Sequence, residues 1–78
     1  MQSDQLASLI LWHRKRAGLS QSELAHHAGV SRYVVQDLEA AHGRTTWKKL
    51  EAVLRVLNVR LKPEGTLVKE WERTEDEK

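Results

Sequence analysis

The sequence predicts a small, mainly α-helical domain of four to five short helices, followed by one short β-strand near the C-terminal end. Three observations carry this. Apolar residues recur at helical spacing in four separate segments. Capping and stop residues bound those segments at the right offsets. Residues 59–62 then switch to alternation with a period of two, the pattern of a strand.

In the first segment Leu6, Leu9, Ile10, His13 and Ala17 share one side of a helix. Ser3 or Asp4 offers the N-cap, and Gly18 stops the helix. The run Leu9-Ile10-Leu11-Trp12 is apolar on more than one face, so this helix wants a second neighbour besides the core. Ser20-Gln21-Ser22-Glu23 is a capping box that opens a second helix over residues 21–28, with Leu24, Ala25 and Ala28 turned inward. Gly29 supplies a tight turn. Ser31 caps a third helix over residues 32–39; Val35 and Leu38 face the core, and Val30 fills the corner. That leaves Arg32, Tyr33, Gln36 and Asp37 on the outer face.

Residues 40–45 read as a loop around Gly43. Thr46 caps a fourth helix over residues 47–57, striped by Trp47, Leu50, Val53, Leu54 and Leu57 and closed by Asn58. Val59, Arg60, Leu61 and Lys62 form the predicted strand. Pro63-Glu64-Gly65 has turn chemistry, and Thr66-Leu67-Val68 suggests a second short strand. From about Glu72 the chain is charged and expected to be mobile.

A chain of 78 residues allows one small domain, whose core is marginal unless its helices pack closely or a partner adds buried surface. With 31% charged and 40% apolar residues it is a folded soluble domain rather than a disordered chain. No apolar run approaches the roughly 20 residues that span a bilayer. Met1-Gln2-Ser3-Asp4 lacks the basic start of a secretory signal, and cysteine is absent. A cytoplasmic location is the expectation. Charge is distributed unevenly: residues 1–49 hold seven Lys/Arg against four Asp/Glu, and residues 50–78 hold six against seven. A basic front half suits a polyanion.

Catalytic and metal chemistry find little support. His26 and His27 are adjacent, so on a helix they point about 100° apart and cannot chelate together. There is no cysteine to join them. Nucleophile–base arrangements and Gly-rich phosphate loops are missing. The expectation is a protein that is not an enzyme, with no cofactor, no metal and no catalytic residues.

The stretch Ala17-Gly18-Leu19-Ser20-Gln21-Ser22-Glu23-Leu24-Ala25, then Ala28-Gly29-Val30-Ser31, then Leu38-Glu39, resembles the lambda-repressor-like helix-turn-helix domains of the xenobiotic-response-element family. The resemblance covers residues 5–58. It implies a bundle whose third helix enters the major groove of duplex DNA, a groove about 12 Å wide. By the same resemblance Arg32, Tyr33 and Gln36 match base-reading positions, and Gln21 matches a position that touches the DNA backbone. Ser31, Arg44, Lys48 and Lys49 are further phosphate candidates. Asp37 sits badly on such a surface unless a basic neighbour neutralises it. Arg14 and Glu39 match a pair that forms a structural salt bridge between the first and third helices.

The domain organisation that follows is a helix-turn-helix domain over residues 1–58, a dimerising strand and turn over 59–68, and a mobile acidic tail over 69–78. A lone strand seeks a partner, and the simplest partner is the same strand of a second copy. A helix-turn-helix domain followed by a dimerising strand resembles the HipB-type antitoxins of bacterial toxin–antitoxin pairs, and so does Trp71 in the tail. That implies a homodimer that represses its own operon and binds a kinase-fold toxin. The alternative left open is a stand-alone repressor of prophage or housekeeping type without a toxin partner.

Overall fold

Five helices follow one another in the computed structural model, which describes residues 2–77: α1 (Ser3–Arg16), α2 (Gln21–Ala28), α3 (Arg32–Ala40), α4 (Trp47–Val56) and α5 (Val68–Asp76). The first four pack around one core. Ile10, Leu24, Val35 and Val53, one from each helix, are completely buried, and Ala7, Ala25, Leu50 and Leu54 close around them. Residues half-buried against that core include Leu6, Leu9, Leu38 and Leu57. Trp47 was expected in the α4 stripe but is 65% exposed. It is the first residue of its helix, at the edge of the stripe, where the bundle has no further layer to cover a ring of that size.

The start signals work locally. At α2 the Ser20 hydroxyl accepts from the Glu23 amide at 3.0 Å, and the Glu23 carboxylate accepts from the Ser20 amide at 2.9 Å. These bonds hold the Glu23 carboxyl below its ordinary pKa. Thr46 caps α4 through the Lys49 amide. The α1 cap is Gln2 rather than Ser3 or Asp4. The Gln5 side chain reaches back to the Gln2 amide, and Ser3 and Asp4 become first-turn residues, where an acid suits the positive helix end.

The stop signals share one design. All four bundle helices end with a residue in the left-handed region, Gly18, Gly29, Ala41 and Asn58, at φ of 73°, 70°, 59° and 58°. The following amide then reaches back five residues: Leu19 to Arg14, Val30 to Ala25, His42 to Asp37 and Val59 to Leu54, at 2.9–3.1 Å. This is the Schellman arrangement, in which the residue after the left-handed position also packs onto its helix. Leu19, Val30 and Val59 do so. His42 is exposed.

That design corrects the strand. Val59, Arg60, Leu61 and Lys62 form no strand, and none is present among the described residues. Val59 is apolar because it completes the α4 cap, so the alternation at 59–62 came from helix-stop chemistry rather than from a pleated surface. Thr66 and Leu67 form a turn, and Val68 begins α5. The charged tail is not without structure. Residues 68–76 are helical, built from good helix formers with Leu67, Val68 and Trp71 adjacent on one side. None of its residues is buried. The outermost ends of the expected first and last segments, Met1 and Lys78, lie outside the described residues.

Candidate nucleic-acid interface

Two short helices joined at Gly29 define the region. The left-handed turn at Gly29 sends the chain across α2 into α3, and burial of Val35 fixes the rotation of α3. Arg32 and Tyr33 are thereby exposed in its first turn, with Gln36 half-buried one turn on. The Arg32 guanidinium lies 5.7 Å from the Tyr33 ring centroid, within cation–π range. Ser31 occupies the N-cap position, although its hydroxyl takes no capping hydrogen bond.

Asp37 is not a free charge on this face. Its carboxylate accepts from the Arg44 amide at 3.1 and 3.2 Å and from the Thr45 hydroxyl. The Thr45 hydroxyl, then the backbone amides of Arg44 and Thr45, hold the Asp37 carboxyl below its ordinary range. Asp37 therefore ties the end of α3 to the loop that leads into α4. That tie places Arg44 beside Tyr33, Gln36, Thr46 and Lys49 around one hollow of about 410 Å³. Lys48 and Lys49 lie in the first turn of α4, which carries no acid and ends in free amides that favour an anion. Arg44, Lys48 and Lys49 are all exposed.

Gln21 is differently placed. Its side-chain amide donates to Glu39 Oε1 at 3.1 Å. The same carboxylate holds Arg14 in a bidentate ion pair, Nε to Oε2 at 2.6 Å and Nη2 to Oε1 at 2.9 Å. Arg14 Nη1 then donates to the Leu19 carbonyl at 2.9 Å. The two side chains are 11% and 7% exposed. The Glu39 hydrogen bonds raise the Arg14 pKa further above its ordinary value. One network so fastens α1, the α1–α2 turn, α2 and α3. Sequence reading found the pair. It missed Gln21, Leu19 and the Asp37–Thr45 tie, because each needs residues brought together across a turn whose path no local pattern encodes.

Among the described residues no group of three His, Cys, Asp or Glu side chains is arranged to hold a metal. His13 bonds the Leu9 carbonyl through Nδ1 at 2.7 Å, an ordinary contact within α1.

The model of the family described as "Helix-turn-helix domain" matches residues 5–64. The chain belongs to this family. No curated protein sequence matches it. Helix-turn-helix domains insert the second helix of their motif into the major groove of DNA, and α2 and α3 are the pair of helices joined by a tight turn in this chain. No described helix is long and apolar enough to cross a membrane.

Proposed function

We infer that this protein is a sequence-specific transcriptional repressor that binds operator DNA as a homodimer. The observation that carries the reading is the recognition helix: Val35 locks its rotation, so Arg32, Tyr33 and Gln36 share the outward side, and the basic start of α4 flanks them. Arg32 and Gln36 have the side-chain chemistries that pair bidentately with guanine and adenine. Tyr33 supports the Arg32 guanidinium by stacking and offers a hydroxyl and a flat apolar face to the groove wall. Arg44, Lys48 and Lys49, with Ser31 at the mouth of α3, contact the sugar–phosphate backbone, which positions the domain without reading sequence. Gln21 contributes to backbone contact by holding the α2 end in place, since its amide is engaged by Glu39.

Dimerisation follows from operator symmetry. A single recognition helix reads few base pairs, and two domains related by a two-fold axis read two half-sites about 34–36 Å apart. The likeness to antitoxins rested on a strand over residues 59–62 and on Trp71 in the tail. The first of these supports falls with the strand, and a toxin partner is not part of the proposal.

The test separates the two kinds of contact. Arg32→Ala is expected to cost about 1–3 kcal/mol on the operator and to relax preference at one base pair. Lys48→Ala is expected to weaken operator and scrambled DNA alike and to flatten the salt slope by about one unit. The operator is first obtained by selection from a random duplex pool. Equal losses for Arg32→Ala on operator and scrambled DNA would make Arg32 a phosphate contact and overturn this placement of the reading face.

A further inference from the structure

A groove along α4 is lined in part by exposed apolar side chains. Trp47 at the start of α4 and Leu61 after its end flank a groove of about 470 Å³, floored by Leu54 and Val59. Arg55 and Arg60 stand on its rim. Trp47 is 65% exposed and Leu61 36% exposed, so an apolar wall of an aromatic and a leucine faces water.

A second apolar surface lies at the other end of the chain. On α5, Leu67 and Trp71 are 68% and 49% exposed, and Val68 stands next to them at helical spacing. A nine-residue helix is marginal in water on its own, and helices of that length owe their stability to covering an apolar face. The helix is also acidic: over Val68–Asp76, Glu70, Glu72, Glu75 and Asp76 outnumber Lys69 and Arg73, so its net charge is −2. Glu72 follows Val68 by one turn, at the border of the apolar stripe. The groove lining carries Arg55 and Arg60 against a single acid, Glu51, so its net charge is positive.

The helix does not sit in the groove of its own chain. None of its residues lines that groove. The connection turns away: Pro63 restricts the backbone, the Val68 amide donates to the Gly65 carbonyl, and a Cβ at Gly65 would stand 3.3 Å from Val68 Cγ2. The connection is a formed turn that carries α5 off the bundle, and the molecule measures 41 Å along its long axis against 23 Å across.

We propose that the groove between Trp47 and Leu61 receives α5 of a second copy of this chain, with two copies exchanging their C-terminal helices about a two-fold axis. Trp71 and Leu67 enter the groove, and the acidic side of α5 meets Arg55 and Arg60. The exchange is isologous, so each copy gives one helix and receives one, and the assembly closes as a dimer. The groove shares no lining residue with the hollow around Tyr33, Gln36, Arg44 and Lys49. This inference rests on the dimeric reading above and specifies the contact that makes the dimer.

The experiment is sedimentation of the full chain over a concentration series, with circular dichroism to show that each variant is folded. Trp47 and Trp71 are exposed, so replacing either leaves the bundle core intact. The wild-type chain is expected to sediment as a dimer, and Trp47→Ala and Trp71→Ala each as monomers at the same concentration. Mixing the two variants restores one intact helix-in-groove contact, since one chain keeps its helix and the other its groove. The mixture is therefore expected to dimerise at a concentration at least tenfold below that needed by either variant alone. Arg55→Glu combined with Arg60→Glu provides a second break that leaves every apolar residue in place. A wild-type monomer would overturn the proposal, as would a Trp47→Ala chain that still dimerises through Trp71. A variant mixture that stays monomeric would also overturn it. A dimer that ignores operator DNA would count against the repressor reading alone, and a monomer that binds the operator would count against the helix exchange and the dimeric reading but not against DNA recognition.

Discussion

The bundle of α1–α4 and the helix α5 obey different rules, although each is helical and each carries an apolar stripe. In the bundle every stripe is matched by another, and Ile10, Leu24, Val35 and Val53 reach zero exposure. Its polar bonds are internal too, from the Ser20–Glu23 cap to the Arg14–Glu39–Gln21 network. On α5 the stripe of Leu67, Val68 and Trp71 stays largely open, with Leu67 68% and Trp71 49% exposed, and no side chain is buried. The lesson is that helical periodicity states which side of a segment is apolar but not what covers it. Four helices find their cover within the chain; the fifth has to look elsewhere.

The comparison can be broken most sharply at the network. Glu39→Ala leaves the Arg14 guanidinium largely enclosed and unmatched, with an expected loss of about 3–5 kcal/mol in urea unfolding. Arg14→Met combined with Glu39→Leu should recover much of that loss. Small, additive losses in the two single variants would show that the pair does not fasten the bundle.

Core truncation gives the next largest contrast. Leu24→Ala is expected to lower stability by about 2–5 kcal/mol. Leu67→Ala, in protein diluted below the dimerisation range, should leave the thermal midpoint unchanged. Hydrogen exchange reports the same contrast: α5 amides should gain protection as protein concentration rises, while α1–α4 amides do not. A Leu67→Ala chain that unfolds early at high dilution would mean that α5 packs on its own bundle.

Helix stops supply a smaller and two-sided test. At Gly29 a Cβ would meet no atom within 4 Å, so the only obstacle to alanine there is the left-handed backbone at φ 70°. Gly29→Ala should therefore cost about 1–2 kcal/mol. Ala41 already occupies that region at φ 59°, and Ala41→Gly should stabilise by a fraction of that amount, about 0.5–1 kcal/mol. Opposite signs for these two substitutions in thermal unfolding are the expected result; equal signs would show that packing rather than backbone conformation governs both ends.

The smallest effect concerns pH. Asp37 and Glu23 have carboxyl pKa values lowered in the folded state by hydrogen bonds from Thr45, Arg44 and Ser20. A lowered native pKa means that the folded state binds fewer protons than the unfolded one just below the ordinary carboxylate range. Their stabilising contribution is thus complete above about pH 4–5 and is lost as pH falls through the native values. Asp37→Asn should flatten the acid limb of the stability profile by lowering the neutral plateau slightly toward the low-pH value. It should also loosen the loop holding Arg44, read as a modest drop in DNA affinity.

Much of the fold was legible because its signals are local. Capping at Ser20 and Thr46, stops at Gly18, Gly29 and Asn58, and the stripes of α2, α3 and α4 involve residues within one or two turns of each other. Errors arose where one local pattern has two physical sources. An apolar residue after Asn58 satisfies either a strand or a helix stop, and only the Val59 amide bonded to the Leu54 carbonyl decides between them. A charged C-terminal end is either mobile or helical, and the spacing of Leu67, Val68 and Trp71 decides it only once a helix is assumed. In the candidate interface, Arg32 and Tyr33 were readable from the third helix's periodicity. The role of Asp37 was not, because its partners Arg44 and Thr45 lie beyond a helix stop.

What the sequence determined by itself is the set of short helices, the caps at Ser20 and Thr46, the helix-turn-helix family and the outward side of α3, since each depends on residues close in the chain. Tertiary structure alone decided that Gln21 turns to Glu39, that Asp37 holds the following loop, that Trp47 faces water and that α5 stands apart. Those outcomes depend on which segments meet, and that is fixed by the joint fit of all the stripes, not by any one of them.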